Sequence, residues 1–162
     1  MRHTAALWPL VIATLATCTA QAGDGSISNS TLASLSGVYV AINGFSSAQQ
    51  NAGFNKELFR NDVEERLRTH GIPVLDAAES TDHSLLALEI SPPDAGEVTP
   101  FYVRLEMLQE VTLSRDPEHS VFEAPTWSVT LVGQGDVENA RDLVRLALDH
   151  FILSWKSAHR KM

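Results

Sequence analysis

A single cysteine stands among the 162 residues. One thiol cannot close an intramolecular disulfide, and it cannot supply the cysteine pairs of a structural zinc site or a dithiol redox motif. Positive charge is also scarce: 12 Lys and Arg face 20 Asp and Glu, for a formal net charge of −8. Binding to phosphate backbones or anionic lipid draws on a cation excess that this chain lacks, so no nucleic-acid partner is expected. No apolar run reaches the roughly 18 residues of a membrane-spanning helix, so no transmembrane span is expected.

Catalytic signatures are missing as well. No serine sits in a Gly-x-Ser-x-Gly elbow and no thiol is placed as a nucleophile. His70, His83, His119, His150 and His159 have no second His or Cys at metal-ligand spacing. The neighbours Asp82-His83, Glu118-His119 and Asp149-His150 point in different directions on any regular element. The carboxylates Glu64-Glu65, and Glu106 with Glu110, fall on faces expected to be wet, without the desolvation that would make a general acid. Gly133-Gln134-Gly135 before Asp136 lacks the third glycine and the following strand of a dinucleotide site, and reads as a turn before a helix cap. No catalytic, cofactor-binding or metal-ligating residue is therefore assigned, and no cofactor is expected.

What is present begins with the N-terminus. Arg2, an apolar run from Ala5 to Ala16 interrupted by Pro9 and Thr14, and the small-x-small site Ala20-Gln21-Ala22 have the order of a secretory signal peptide spanning residues 1–22. Cys18 lies inside this leader. Ordinary cleavage after Ala22 discards it. Alternatively, Leu15-Ala16-Thr17-Cys18 resembles the bacterial lipoprotein box, in which the cysteine becomes a lipidated N-terminus, although Thr17 departs from the usual small residue at that place. The expected location is the periplasm, or the outer membrane if Cys18 is lipidated. Residues 23–34 are small and polar and read as a flexible lead-in, and residues 35–162 as one α+β domain.

Within that domain Val38, Val40 and Ile42 alternate with Tyr39, Ala41 and Asn43 as a strand. Leu58, Phe59, Val63 and Leu67 recur at helical spacing, with Asn55 as N-cap and Gly71-Ile72-Pro73 as the stop. Ile72 to Leu75 and Ser84 to Ile90 read as strands. So does the run from Phe101 to Leu113, with Val103, Leu105, Met107, Val111 and Leu113 on one face, and so does the run from Trp127 to Leu131. Asp136 caps a closing helix whose apolar stripe runs from Val137 to Trp155. The order β-α-β-β-β-β-α predicts a mainly antiparallel sheet of four or five strands with two helices on one face. The Ser114–Pro125 connection is longer than a tight hairpin needs. Its Arg115-Asp116-Pro117 turn and Phe122 make Arg115, Asp116 and Phe122 candidate partner contacts.

Asp62-Val63-Glu64-Glu65-Arg66-Leu67-Arg68, Gly71-Ile72-Pro73-Val74-Leu75, Val111-Thr112-Leu113-Ser114-Arg115-Asp116-Pro117 and Thr126-Trp127-Ser128 together resemble a family of small uncharacterised exported bacterial proteins. The resemblance implies export and a single domain, without a chemical activity. More loosely, the element order is similar to envelope accessory domains: the TolB N-terminal domain, the CsgG and LpoB group, and the lipopolysaccharide-assembly lipoprotein LptE. The expected function is that of a non-enzymatic accessory or binding protein of the cell envelope with another envelope protein as partner. The alternative is an envelope hydrolase whose site residues converge only in the fold. A shallow face exposing Tyr39, Leu85 and Leu108 favours the binder; a buried carboxyl or histidine beside a deep cleft favours the enzyme.

Overall fold

The computed structural model describes residues 21–22, 29–76, 84–91 and 100–160. Along the chain the elements are β1 (Gln21–Ala22), β2 (Tyr39–Ile42), α1 (Ser47–Asn51), α2 (Lys56–Thr69), β3 (Leu85–Ser91), β4 (Phe101–Leu113), β5 (Asp116–Gly133) and α3 (Val137–His159). The fold is α+β. Four full strands form a sheet in the order β5-β4-β3-β2, and the two residues of β1 pair along the outer edge of β5.

The alternation of apolar residues along each strand sends one set to a common face, where it is closed over by α2 and α3. Val40, Ile42, Leu86, Leu88, Val103, Leu105, Met107, Trp127, Val129 and Leu131 are all buried there. From the helices come Phe59, Val63 and Leu67 of α2, and Val144, Leu148, Phe151, Ile152 and Trp155 of α3. The Trp127 and Phe151 rings meet edge to face at 5.2 Å, and the indole Nε1 donates to Ser154 Oγ at 3.1 Å. Strand phase and helix stripe therefore agree, which is the consistency a single core requires. Asn55 Oδ1 accepts the Glu57 N–H at 2.8 Å to start α2. Asp136 accepts from Glu138 and Asn139 to start α3.

The sheet departs from the sequence expectation in one respect that matters for topology. β2 and β3 run parallel, whereas β3/β4 and β4/β5 are antiparallel, so the sheet is mixed. A parallel pair needs a crossover of a dozen or more residues. Here α1, α2 and the segment after them supply it. The expected strand at 72–75 contributes only a bridge, Val74 beside Val38. Pro73 has no N–H to give, and the ladder stops after the Pro73 carbonyl has accepted from Val38 N–H and Leu75 N–H has donated to Val38 O. A third helix, α1, forms on a capping box between Ser46 and Gln49. Packing also reaches further towards the N-terminus than Leu35, since Leu32 is completely buried.

The connection expected as a loop at 114–125 is strand. β4 and β5 form one long hairpin whose turn is Ser114-Arg115. The mismatch between 13 residues in β4 and 18 in β5 is absorbed by irregularities in the pairing. Met107 faces Trp127 while Leu108 faces Pro125, leaving Thr126 as an extra residue whose hydroxyl donates to Met107 O at 3.3 Å. Further out Glu123 has a φ of 53°, a bulge conformation that non-glycine residues adopt rarely.

No helix among the described residues is long and apolar enough to cross a membrane. Cys18, and the rest of the expected signal peptide apart from Gln21 and Ala22, lie outside the described residues.

Candidate functional site

The pleat that buries one set of side chains presents the other on the opposite face of the sheet, where no described helix packs. Pairing register places these residues in rows across the strands. Tyr39, Leu85, Leu108 and Pro125 form one row, and Ala41, Ala87, Glu106 and Ser128 the next. Glu89, Arg104 and Thr130 form a third. All of these except the exposed Pro125 and Ser128 are half-buried, shielded by one another. The face thus grades from an apolar end beside the hairpin to a polar end.

The polar end is internally satisfied. Tyr102 Oη donates to Glu89 Oε1 at 2.6 Å, Arg104 Nη1 lies 3.5 Å from the other Glu89 oxygen, and the Arg104 guanidinium sits 5.4 Å from the centre of the Tyr102 ring. The hydrogen bond to the Glu89 carboxylate, aided by desolvation and by the negative charge, raises the Tyr102 phenol above its ordinary value of 10.0. These side chains are held in place before anything docks on them, which lowers the ordering cost of binding.

The second feature is the outer part of the hairpin. Beyond Gln109, whose amide donates to Thr31 O at 3.3 Å, the remaining residues up to Glu123 are exposed, apart from the half-buried Val111 and Leu113. At about 3.3 Å per residue the arm reaches on the order of 15 Å from the body. Arg115 occupies its turn. Asp116 opens β5 and lies 2.9 Å from His119 Nδ1, and Phe122 is 63% exposed. The three residues singled out from sequence therefore share one arm, but Phe122 is several residues from the tip. Val111 faces Val121 across the ladder. Strand alternation puts Leu113 on the same side, so the apolar face that α2 and α3 cover in the body continues uncovered, among the described residues, into the arm.

Two depressions lie elsewhere among the described residues. A groove of about 310 Å³ between α2 and α3 is lined by Asp62, Glu65, Arg66, His70, Arg141 and Arg145 among others. Its charges pair across the helices: Arg141 Nε donates to Asp62 Oδ2 at 2.7 Å, and Arg66 Nε to Asp149 Oδ1 at 3.2 Å. The hydrogen bond to Asp62, with a second to Glu138, holds the Arg141 guanidinium even more firmly charged than usual. A hollow of about 470 Å³ lies by Phe45, Gln50, Phe54 and Lys56. Its groups are engaged in folding: the Gln50 amide donates to Phe45 O at 2.9 Å, and the Phe45 and Phe54 rings pack at 5.6 Å. Among the described residues the buried polar side chain is Ser84, which donates to Gly37 O at 3.0 Å. No group of three or more His, Cys, Asp or Glu gathers among them as a metal site.

The sequence marks an exposed Tyr39, Leu85 and Leu108 as the sign of a binder; the structure puts all three on the open face but half-buried, adjoining one another in a row that Pro125 extends. Register is set by tertiary pairing and leaves no mark in a single strand. Leu146 and Leu153 of α3, 44% and 65% exposed, were also passed over. Their seven-residue spacing, off the buried stripe, is the signal that marks them.

No protein-family model matches the sequence, and no curated protein matches it. Among solved structures the chain is similar to the PelC dodecamer from Paraburkholderia phytofirmans. The likeness is at 16% identity over 82% of this chain and 96% of that one, with a TM-score of 0.49.

Proposed function

We propose that the chain is an exported, non-enzymatic accessory protein of the bacterial cell envelope that works by holding another envelope component against the open face of its sheet. The observation that carries this reading is the apolar row Tyr39-Leu85-Leu108-Pro125, set on rigid strands with no described helix over it. Sheet faces left open on one side are ordinarily polar. This one concentrates its apolar residues at one end, next to a projecting arm, and pre-orders its polar end through Glu89, Tyr102 and Arg104. Arg115, Asp116 and Phe122 on the arm extend the contact surface. The order of residues in the leader supports export, with cleavage after Ala22 or lipidation at Cys18.

A photoreactive residue placed at Leu85 or Leu108 in intact cells tests the binding surface. Both positions are expected to give the same crosslinked adduct, and Glu65 on the exposed side of α2 is expected to give none. Equal labelling from all three positions would discard the open face as a specific site. Export is tested separately by N-terminal sequencing of protein from the producing cell. A start at Gly23, or a blocked lipidated Cys18, is expected, and an intact Met1 in the soluble cytoplasm would refute export.

A further inference from the structure

The apolar strip of the arm, Val111, Leu113 and Val121, lies where the sheet has outrun its helices. A two-stranded hairpin is marginal in water by itself. A strip of this kind is stabilised when another surface covers it. Three ways of covering it with a second copy can be weighed. Strand addition along the outer edge of β5 is blocked by Pro117 and Pro125, which offer no N–H, and by the bulge at Glu123. Arm against arm in a two-fold pair would oppose Glu110, Asp116, Glu118 and Glu123 to the same carboxylates, with Arg115 as the arm's cation. Such juxtaposition of like charge is costly.

The third surface is α3. Leu146, Leu153 and Arg160 recur every seven residues on its outward side, and Lys156 lies one turn from Leu153. The two leucines are the large exposed apolar side chains of the helix. Together with Lys156 and Arg160 they make an apolar stripe ending in cations, with the neighbouring Asp142 and Asp149 paired to Arg145 and Arg66, and this is complementary to an apolar strip bordered by carboxylates. We infer that the chain assembles head to tail, the acidic hairpin arm of one copy lying on α3 of the next. Val121 and Leu113 then meet Leu146 and Leu153, while Glu118 near the tip of the arm approaches Lys156 and Arg160. Such a contact uses two different patches and leaves each bound pair with one free arm and one free helix, so it propagates, into a ring where the rotation between copies closes and into a filament where it does not. The inference rests on the reading of the arm as a contact element and is independent of the open face and of export.

Two variants of the purified protein test it by sedimentation and light scattering. Val121→Asp with Glu118→Lys spoils the arm, and Leu153→Asp with Lys156→Glu spoils the helix; Glu118, Val121 and Leu153 are exposed and Lys156 half-buried, so both proteins are expected to unfold close to the wild-type temperature. Should the helix variant unfold early, the milder Lys156→Ser with Arg160→Ser takes its place; should the arm variant do so, Glu118→Gln with Glu123→Gln takes its place. The wild type is expected to exceed the mass of one chain and to lose mass as salt rises. Each variant alone is expected to be monomeric, and an equal mixture to form a dimer, because one intact arm meets one intact helix. A monomeric wild type, a variant that keeps the wild-type mass, or a mixture that stays monomeric would each overturn the head-to-tail contact. None of these outcomes would touch the crosslinking result expected for the open face.

Discussion

At the scale of single residues the structure makes two sharp demands. Leu105 is completely buried between the sheet and its helices. Truncating it to Ala removes transfer energy and leaves a cavity, so Leu105→Ala is expected to cost about 2 to 5 kcal/mol in chemical denaturation. Tyr102 makes the second demand. Its phenol is raised above the unfolded value because the neutral hydroxyl donates to the Glu89 carboxylate. A raised value means that this interaction stabilises the fold fully below the unfolded pKa of about 10 and is lost as pH climbs through the higher folded one. Absorbance titration should therefore show Tyr102 ionising above the ordinary tyrosine value, and Glu89→Gln should lower it. Unchanged titration in that variant would mean that the Tyr102–Glu89 bond does not govern the phenol.

At the scale of elements, what could be read in advance was whatever depends on near neighbours. The buried phase of β4, from Val103 to Met107, and the stripe of α3 follow from periodicities that one element carries within itself. The caps at Asn55 and Asp136 are likewise local. Whether β2 joins β3 parallel or antiparallel depends on where α2 packs, and no residue of β2 records it. The outer hairpin escaped for a different reason. Asp116-Pro117 is a strong turn signal and masked the strand beyond it, while the bulges at Thr126 and Glu123 shift the alternation that would have revealed the pairing. The same geometry sets the expectation for Phe122. At 63% exposure its replacement by Ala should move stability by less than about 0.5 kcal/mol while weakening capture of a partner. A large drop in the melting temperature would instead assign Phe122 to the fold. The α3 cap answers oppositely: Asp136→Ala removes the acceptor for two backbone N–H groups and should cost about 1 kcal/mol without affecting capture.

At the scale of the whole molecule, the division of labour between the two sheet faces explains why function is hard to read from this sequence. The buried face obeys simple rules of period and volume. The open face and the arm are defined by what approaches them, and an acidic chain with an apolar sheet end can meet many surfaces. The direction of the strands has a further consequence, for the order of folding. β4 and β5 are joined by a tight turn, so their ladder closes a short loop at small entropic cost. β2 has to wait for β3 across α1, α2 and the segment after them, a non-local pairing of the kind that slows folding. Substitutions that weaken the β4–β5 ladder near Trp127 are expected to slow refolding, whereas Val40→Ala in β2 should chiefly speed unfolding. In a chain that emerges from its N-terminus, the first core strand thus waits for a neighbour that lies beyond both helices of the crossover, and Val40 and Ile42 stay open to the solvent, or to a chaperone, until β3 has followed.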